Sequence, residues 1–389
     1  MDPLDNPFRP GAGTPPPALL GRDDLIDKYG IALRRTVAGR PGKSVMPIGL
    51  RGVGKTVLLN RFHEIARDEG LKIAFVEAPE TGDLSRLLAI RLRTTLLELD
   101  QGVVSRVVKR ALGTLKSFSY TLPDGTSISL DVDAVAGSAD SGVLSEDVTD
   151  LLVAAGEAAK DRGTGILLAI DEVQYLTGDE LGALISAIHR TVQLSLPVIL
   201  VGAGLPQLPG LAGNAKSYAE RLFEFPRIGS LSDGDARAVL QIPAGEQGVL
   251  IDDAAVDELI NRSQGYPYFL QEWGYHVWNA ASGSPITLDD VLLAGPEVQR
   301  QLDDNFFLVR MDRLTPAEKR YLHAMAVLGE GPHRSGDIAA ELGVRVESVA
   351  PRRSGLIQKG MVYSPAHGDT AFTVPLFDEF LRRTGAGDR

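Results

Sequence analysis

The sequence contains no cysteine, and this absence excludes several kinds of site. Without a thiol the chain has no disulfide, no thiolate metal ligand and no cysteine nucleophile. Its six histidines are scattered, and none falls in a metal-binding spacing such as HExxH. A chain without disulfides fits a reducing compartment, so we expect a cytoplasmic protein.

Long apolar runs are also missing. The longest, such as 166–170 and 196–201, have the length of a buried strand and are far too short to span a membrane. The N-terminus does not combine a basic start with an apolar stretch, so it does not resemble a secretion signal. We therefore expect no membrane contact.

Positive charge is in deficit, because 40 Lys and Arg stand against 51 Asp and Glu, a net charge of −11. A protein that coats nucleic acid with its whole surface needs the opposite balance, although one local basic site is compatible with this one. With 389 residues, of which 44% are hydrophobic and 23% charged, the chain is predicted to form two or three globular domains.

A glycine-rich segment, residues 49–56, joins a short apolar strand at 45–48 to a helix predicted over 56–69. It reads GLRGVGKT and fits the phosphate-binding pattern G-x-x-x-x-G-K-[ST]. Glycines let successive backbone N–H groups approach one phosphate, and the helix start adds the positive end of its dipole. In this pattern Lys55 reaches the β- and γ-phosphates, and the Thr56 hydroxyl is a Mg²⁺ ligand. The predicted nucleotide contacts here are Gly49, Arg51, Gly52, Val53, Gly54, Lys55, Thr56 and Val57.

Two carboxylates, Asp171 and Glu172, follow a second apolar run at 165–170. Such a run is typical of a strand buried on both faces of a parallel sheet, and ligands bind at the carboxyl ends of these strands. Asp171 is predicted to hold the Mg²⁺ that bridges the β- and γ-phosphates, and Glu172 to polarise the attacking water. An isolated Asp-Glu often only caps a helix, but the upstream phosphate loop favours the catalytic interpretation.

Strands and helices alternate up to residue 230, which predicts an α/β fold with a doubly wound, mostly parallel sheet. The Pro- and Gly-rich residues 1–18 are predicted to run extended over the surface, before a nucleotide-binding domain at 19–230. We interpret 103–142 as an insertion in that domain. Its alternating residues predict a β-hairpin over 117–132. The residues that alternate are Phe118, Tyr120, Leu122, Ile128, Leu130 and Val132.

The remainder divides into a helical lid at 231–310 and a segment at 311–389 with the spacing of a winged helix-turn-helix. Aromatic residues at 266–278 predict a packed core, with a base-stacking platform as the alternative. The reading helix is expected at about 349–359. Basic residues near it predict contact with double-stranded DNA, the alternative being a solvated face. They are Arg345, Arg352, Arg353 and Lys359.

Together these motifs resemble an AAA+ ATPase over about residues 19–385, and within that class the origin-recognition-like initiators and the related STAND signalling ATPases. The resemblance implies that 49–56 and 166–172 are the Walker A and Walker B motifs of a site for ATP or ADP with Mg²⁺. It also implies that Leu20, Gly21 and Arg22 lie against the adenine. Arg221 matches the arginine finger that completes the γ-phosphate site of a neighbouring subunit, which implies a homo-oligomer.

The chain departs from the pattern of processive AAA+ machines in two places. Gly202-Ala203-Gly204 stands where the polar sensor-1 residue is normally found, and no sensor-2 arginine is evident in the lid. Gly265-Tyr266-Pro267 instead resembles the GxP element of STAND proteins, which implies that Pro267 lies at the nucleotide. These departures favour a slow switch whose lid responds to the bound nucleotide.

Two functional hypotheses therefore remain open. In one, the protein is an ATPase whose C-terminal domain binds DNA and whose assembly ATP controls. In the other, it is a STAND-type signalling or scaffold switch, and that domain contacts the ATPase module or a protein partner. A metabolic kinase is disfavoured, because the chain has a helical lid and a winged helix but no evident acceptor pocket.

If Arg221 acts on a neighbouring subunit, Arg221→Ala should lower ATP hydrolysis and leave nucleotide affinity close to that of the wild type. Mixing this variant with Lys55→Ala should restore part of the activity, because each variant lacks a different half of a shared site. Phosphate release by the mixture measures this. A co-assembled mixture without recovery would indicate a role within one subunit or a structural ion pair.

Overall fold

The structure, a computed structural model, describes residues 1–385 apart from 12, 41, 81–82, 101–104 and 123–129. The chain forms two compact units, each built from separate segments. The lid unit comprises Met1–Arg22, Gly49–Val57 and Ile228–Arg389, and the sheet unit comprises Asp23–Ile48 and Leu58–Arg227.

The sheet unit contains a five-stranded parallel sheet in the order β2-β3-β4-β1-β5. Every residue of β3 is buried, as its continuous apolar run predicts. Isolated bridges from Ile48 to Gly204 and Arg227 continue the pairing of β1 beyond its short ladder. The fifth strand, like the first, contains only two residues. The strands are β1 Ser44–Val45, β2 Lys72–Glu77, β3 Ile166–Asp171, β4 Val198–Gly202 and β5 Phe223–Glu224.

Helices flank this sheet, which confirms the predicted doubly wound α/β class. In α5, residues Leu151, Leu152, Ala155, Ala158 and Ala159 are fully buried, so one continuous helical face packs into the core. None of the described helices combines the length and apolar character needed to cross a bilayer. The helices are α1 Asp23–Val37, α2 Lys55–Asp68, α3 Leu84–Leu99, α4 Arg106–Ser119, α5 Leu144–Asp161, α6 Gly178–Gln193, α7 Leu208–Ala215 and α8 Ala219–Leu222.

The predicted β-hairpin at 117–132 is wrong in its first arm. Helix α4 continues to Ser119, so Phe118 is a buried helical residue. Leu130 and Val132 are not in a strand, and their carbonyl groups accept hydrogen bonds from Lys116 Nζ at 3.4 and 2.7 Å. The turn predicted at 123–125 and Ile128 lie outside the described residues.

The lid unit is mainly helical. Its C-terminal part adds a three-stranded antiparallel sheet in the order β6-β8-β7. Helix α12 continues through a π-helical turn at Asp303–Leu308 into α13. The helices are α9 Asp233–Glu246, α10 Asp253–Ser263, α11 Pro267–Ala280, α12 Leu288–Leu302, α13 Val309–Met311, α14 Pro316–Val327, α15 Ser335–Glu341, α16 Ala350–Gln358 and α17 Phe377–Thr384. The strands are β6 His333–Arg334, β7 Val362–Tyr363 and β8 Asp369–Phe372.

One hydrophobic core joins Phe8 of the N-terminal arm to the helices and the small sheet of the lid unit. Trp273 and Trp278 of α11 are each 1% exposed, which agrees with the packing interpretation of the aromatic segment. The core extends to α17, where the Phe307 and Phe380 rings stack with centroids 5.0 Å apart. The boundary that the sequence predicts at residue 310 therefore does not interrupt the packing.

The N-terminal residues are part of this core. Phe8 is 2% exposed and meets the Trp278 ring edge-on at 6.4 Å. A Cβ added to Gly274 would lie 2.6 Å from the Phe8 ring, so only glycine fits beneath it. Asn6 Nδ2 donates to the Tyr275 carbonyl at 2.9 Å. The prediction that this arm runs extended over the surface is wrong for these residues, and Pro3–Asp5 form a short 3-10 turn.

Phe8→Ala should lower the free energy of unfolding by about 3 kcal/mol, because it leaves a cavity between the arm and α11. Leu4→Ala is the matched control, since Leu4 is 92% exposed in the same arm. Chemical denaturation of both variants measures the difference. Equal stabilities would contradict the assignment of Phe8 to the core.

Candidate nucleotide site

The phosphate loop has the backbone that its motif predicts. Gly52 and Gly54 have φ angles of +80° and +88°, in the left-handed region that side-chain-bearing residues rarely adopt. A Cβ added to Gly49 would lie 2.3 Å from the Ile228 carbonyl oxygen, so this glycine allows close backbone approach. Helix α2 begins at Lys55, directly after the loop. The loop therefore combines a glycine turn with a helix N-terminus, the arrangement that suits an anion.

Lys55 is 6% exposed, and its ammonium group lies over the loop. Its Nζ donates to the carbonyl oxygens of Gly49 and Leu50 at 3.0 and 2.9 Å. The same strand-loop-helix segment thus fixes a positive charge beside the backbone that is predicted to bind phosphate. This arrangement can hold a phosphate group by charge and by main-chain hydrogen bonds together.

The lid contributes main-chain contacts to the loop. The backbone N–H of Tyr268 donates to the Gly52 carbonyl at 3.1 Å, and a Cβ added to Gly52 would lie 3.1 Å from the Tyr268 Cβ. Pro267 is the first residue of α11, where its missing N–H costs nothing. The structure therefore brings the Gly265-Tyr266-Pro267 element to the phosphate loop.

Leu20, Gly21 and Arg22 join the same region. Arg22 Nη2 donates to the Gly229 carbonyl at 2.6 Å, and burial lowers the pKa of Arg22 while Asp235 opposes that shift. The nearby Leu231 N–H donates to the Gly265 carbonyl at 2.9 Å. A chain of contacts within the lid unit thus links the predicted adenine element, residues 229–235, the start of α11 and the phosphate loop.

Sequence reasoning missed Arg310. Its guanidinium lies 4.0 Å from the centroid of the Phe306 ring, and that ring also stacks on Tyr268 with centroids 4.7 Å apart. Burial, followed by the positive charge of Arg51 in the phosphate loop, lowers the pKa of Arg310 to about 10. No sequence motif marks this residue, because its place beside the loop depends on the π-helical turn that precedes it.

The C-terminal segment also contacts the loop. The Arg51 N–H donates to the Thr373 carbonyl at 2.8 Å. Thr373 follows β8 and is fully buried, and its hydroxyl donates to the Gly360 carbonyl at 2.6 Å. The loop is therefore hydrogen-bonded to the end of the small antiparallel sheet as well as to the lid.

In the sheet unit, Asp171 and Glu172 stand at the carboxyl end of β3 as predicted. Asp171 is 4% exposed, and its Oδ1 accepts a hydrogen bond from the Glu172 N–H at 2.8 Å. Glu172 has a φ of +53°, which is strained for a residue with a side chain. The Glu172 carboxylate accepts a hydrogen bond from Gln174 Nε2. Strain of this kind is found at functional sites, where the surrounding structure enforces it.

Arg221 lies in the short helix α8, directly before β5, and is exposed. An arginine that acts on a neighbouring subunit must be exposed in a single chain, so its position is compatible with that prediction. The oxygen groups of Thr56 and Asp171 are hard ligands of the kind that Mg²⁺ prefers. Among the described residues, no group of three or more His, Asp or Glu could hold a metal ion.

The four basic residues predicted to contact DNA do not form one free face. Arg353 donates to Thr370 Oγ1, Ser364 Oγ and the Asp369 carbonyl at 2.8, 2.6 and 2.8 Å. These bonds tie α16 to the hairpin of β7 and β8. The Arg353 side chain is therefore engaged within its own domain, which the sequence did not indicate.

Lys359 is also engaged internally. Its Nζ lies 2.7 Å from Glu318 Oε2. Burial alone would raise the pKa of Glu318, but hydrogen bonds from Lys359 and Thr315 lower it. Arg345 is different, because its side chain is 88% exposed. Its Nε lies 3.5 Å from the carboxylate of Glu347, which is also exposed. Arg352 is half-buried and has no hydrogen-bond or ion-pair partner within the described part of the chain.

Comparison with protein families identifies two regions. Residues 18–201 match the family described as AAA ATPase domain, and residues 304–381 match a domain of unknown function, DUF8462. The first of these regions includes the phosphate loop and the Asp171-Glu172 pair. No curated protein gave a significant match to the chain.

Similar chains are also found among solved structures. The Walker-type ATPase PABY2304 of Pyrococcus abyssi is 14% identical, with a TM-score of 0.60 and coverage of 96% of this chain and 98% of that one. The Aeropyrum pernix ORC1 protein in complex with DNA is 18% identical, with a TM-score of 0.49 over 96% and 95% of the two chains. The Thermotoga maritima RuvB Holliday junction branch migration motor is 18% identical, with a TM-score of 0.46 over 93% and 95%.

Arg353→Ala should lower the free energy of unfolding by about 2 kcal/mol, because three partners in a half-buried site lose a charged donor. Arg352→Ala, the neighbouring arginine without described partners, should change it by less than about 0.5 kcal/mol. Thermal and urea unfolding of both variants measure this. A stable Arg353→Ala protein would show that these contacts do not hold α16.

Proposed function

We propose that this protein binds ATP and hydrolyses it slowly, using the nucleotide as a conformational switch. The observation that carries the proposal is the phosphate loop. It contains positive-φ glycines and the buried Lys55, and its backbone is hydrogen-bonded to the lid and to the C-terminal segment. The AAA ATPase match over residues 18–201 supports the nucleotide class.

The phosphate loop binds the triphosphate through backbone N–H groups and the Lys55 ammonium. Thr56 and Asp171 would hold Mg²⁺, which neutralises phosphate charge when it is bound. Leu20, Gly21 and Arg22 face the adenine in this proposal. Pro267, at the start of α11, brings the lid to the bound nucleotide.

Glu172 acts in the chemical step. Its carboxylate orients a water for in-line attack on the γ-phosphorus and accepts a proton from that water, while the bond to the β-γ bridging oxygen breaks. ADP and inorganic phosphate are the products. Arg221 of a second copy would stabilise the charge on the γ-phosphate oxygens, so we propose a homo-oligomer assembled through the ATP site.

The switch resides in the contacts to the loop. The Gly52 carbonyl accepts from Tyr268 of the lid, and the Arg51 N–H donates to Thr373 of the C-terminal segment. A phosphate that rearranges this backbone acts on both bonds, so nucleotide binding and the position of the lid become linked. These contacts favour a STAND-type switch, in which the C-terminal winged helix works on the ATPase module.

Contact with double-stranded DNA is the second candidate. The exposed Arg345 favours it, as does Arg352, which has no partner among the residues that the structure describes. If both meet phosphates, the affinity falls with salt by about 0.9 log units per log unit for each contact. Arg345→Ala combined with Arg352→Ala should then reduce that slope by roughly two. A wild-type protein that binds no duplex at low salt with ATP present would reject this candidate.

Lys55→Ala should weaken ATP binding by about 10- to 100-fold, because the phosphates lose a charged donor in a partly dry site. Glu172→Gln should keep ATP affinity within a factor of about three and lower kcat by about 100-fold, because an amide cannot accept the proton. Calorimetry and phosphate release measure the two effects. Lys43→Ala, at an exposed lysine before β1, is the control. Undiminished turnover in Glu172→Gln would contradict the role of Glu172.

A further inference from the structure

The end of β4 carries no polar side chain, yet the structure ties it to the acidic turn after β3. Residues 202–204 are Gly-Ala-Gly. The Val173 N–H donates to the Ala203 carbonyl at 2.9 Å, and the Leu205 N–H donates to Gln174 Oε1 at 3.0 Å. All of these residues belong to the sheet unit. Gln174 thus receives a main-chain hydrogen bond from the residue directly after the segment where a sensor side chain would otherwise stand.

The other end of the Gln174 carboxamide is also used. Its Nε2 donates to Glu172 Oε2. The orientation of the amide follows from its partners, because a carboxylate only accepts and a backbone N–H only donates. The carboxamide therefore bridges the Leu205 main chain and the Glu172 carboxylate with one oxygen and one nitrogen.

Glycine at position 204 provides the space for this bridge. A Cβ added to Gly204 would lie 2.9 Å from Gln174 Oε1 and 2.9 Å from Leu208 Cδ2. A Cβ added to Gly202 would lie 2.8 Å from Val173 Cγ2. The small residues that remove the usual sensor side chain thus make room for the Gln174 carboxamide.

The Glu172 side chain needs such a support. Its backbone is held in a left-handed conformation, and its N–H is bound to the Asp171 carboxylate. A carboxylate on a strained turn can activate water only if its rotamer is fixed within tenths of an ångström, and a misplacement of about 1 Å can cost about 100-fold in rate. Gln174 is the side chain that donates a hydrogen bond to this carboxylate.

We propose that Gln174 is a positioning residue for Glu172. From the turn after β3, its carboxamide supplies the hydrogen bond to the Glu172 carboxylate that a polar side chain at the end of β4 would otherwise supply. This inference rests on the proposed ATP hydrolysis. It makes the carboxamide part of the hydrolytic apparatus without contact to the nucleotide. Its loss therefore acts on kcat and leaves the binding of ATP unchanged.

Gln174→Ala should lower kcat by about tenfold or more, with KM and the Kd for ATP within a factor of about two of wild type. Gln174→Glu keeps the length and the acceptor for Leu205, but its second oxygen cannot donate to Glu172 and repels it. It should be at least as slow as Gln174→Ala. Gln193→Ala, at an exposed residue of α6, should retain wild-type kcat. Steady-state phosphate release and calorimetric ATP binding give these values.

Two further variants separate positioning from packing. In a Glu172→Gln background, adding Gln174→Ala should not reduce the residual rate further, because the supported group has already been removed. Gly204→Ala should lower kcat as Gln174→Ala does, because its Cβ displaces the carboxamide.

The outcomes distinguish this inference from the proposed function. If the wild-type protein hydrolyses ATP and both Gln174→Glu and Gln174→Ala keep its full activity, the inference is overturned and the proposed function is not. Loss of ATP affinity in Gln174→Ala would also overturn it, because it would indicate a structural role. A wild-type protein that binds ATP without hydrolysing it would overturn the proposed hydrolysis and, with it, this inference.

Discussion

The lid unit depends on a backbone turn that only glycine allows. Gly52 and Gly54 have φ angles of +80° and +88°. In this loop conformation the Gly52 carbonyl accepts a hydrogen bond from Tyr268, and the Arg51 N–H donates one to Thr373. The lid and the end of the small antiparallel sheet each attach to the loop by one of these bonds. A side chain at Gly52 would be strained and would press on Tyr268, so the phosphate-binding geometry and the attachment of the lid share one requirement.

Much of the sheet unit was predictable, because its elements follow from local pattern. The apolar run before Asp171 gives β3, every residue of which is buried. The hairpin prediction was wrong because Phe118 fits both an alternating pattern and the helical spacing of α4. The helix wins because it also buries the residues that surround Phe118 in the sequence. Phe8 was missed because one apolar residue in a proline-rich stretch has no periodicity, and its site is formed by Gly274 far along the chain.

The candidate site divides in the same way. The phosphate loop and Asp171-Glu172 were predictable because their chemistry requires particular residues at fixed spacing. Arg310 and Gln174 were not, because their positions depend on a π-helical turn and on the left-handed Glu172. Arg353 shows the opposite limit. The sequence pattern of a basic residue on a helix is the same whether its side chain contacts a phosphate or three oxygen atoms of its own domain, as Arg353 does.

The two sets of contacts act on different steps of the proposed cycle. The hydrogen bonds from Tyr268 and to Thr373 involve the loop that binds nucleotide in this proposal, so they can shift nucleotide affinity before the chemical step. Gln174 instead contacts Glu172, the residue proposed to activate water. Each main-chain hydrogen bond contributes about 1 kcal/mol net, so two of them can change an equilibrium by about 2 kcal/mol, or roughly 30-fold. That is enough to make the lid respond to nucleotide but too little to lock it. In the proposed cycle, a switch with this margin would gain its persistence from slow hydrolysis, and the proposed positioning of Glu172 by Gln174 would bear on that rate.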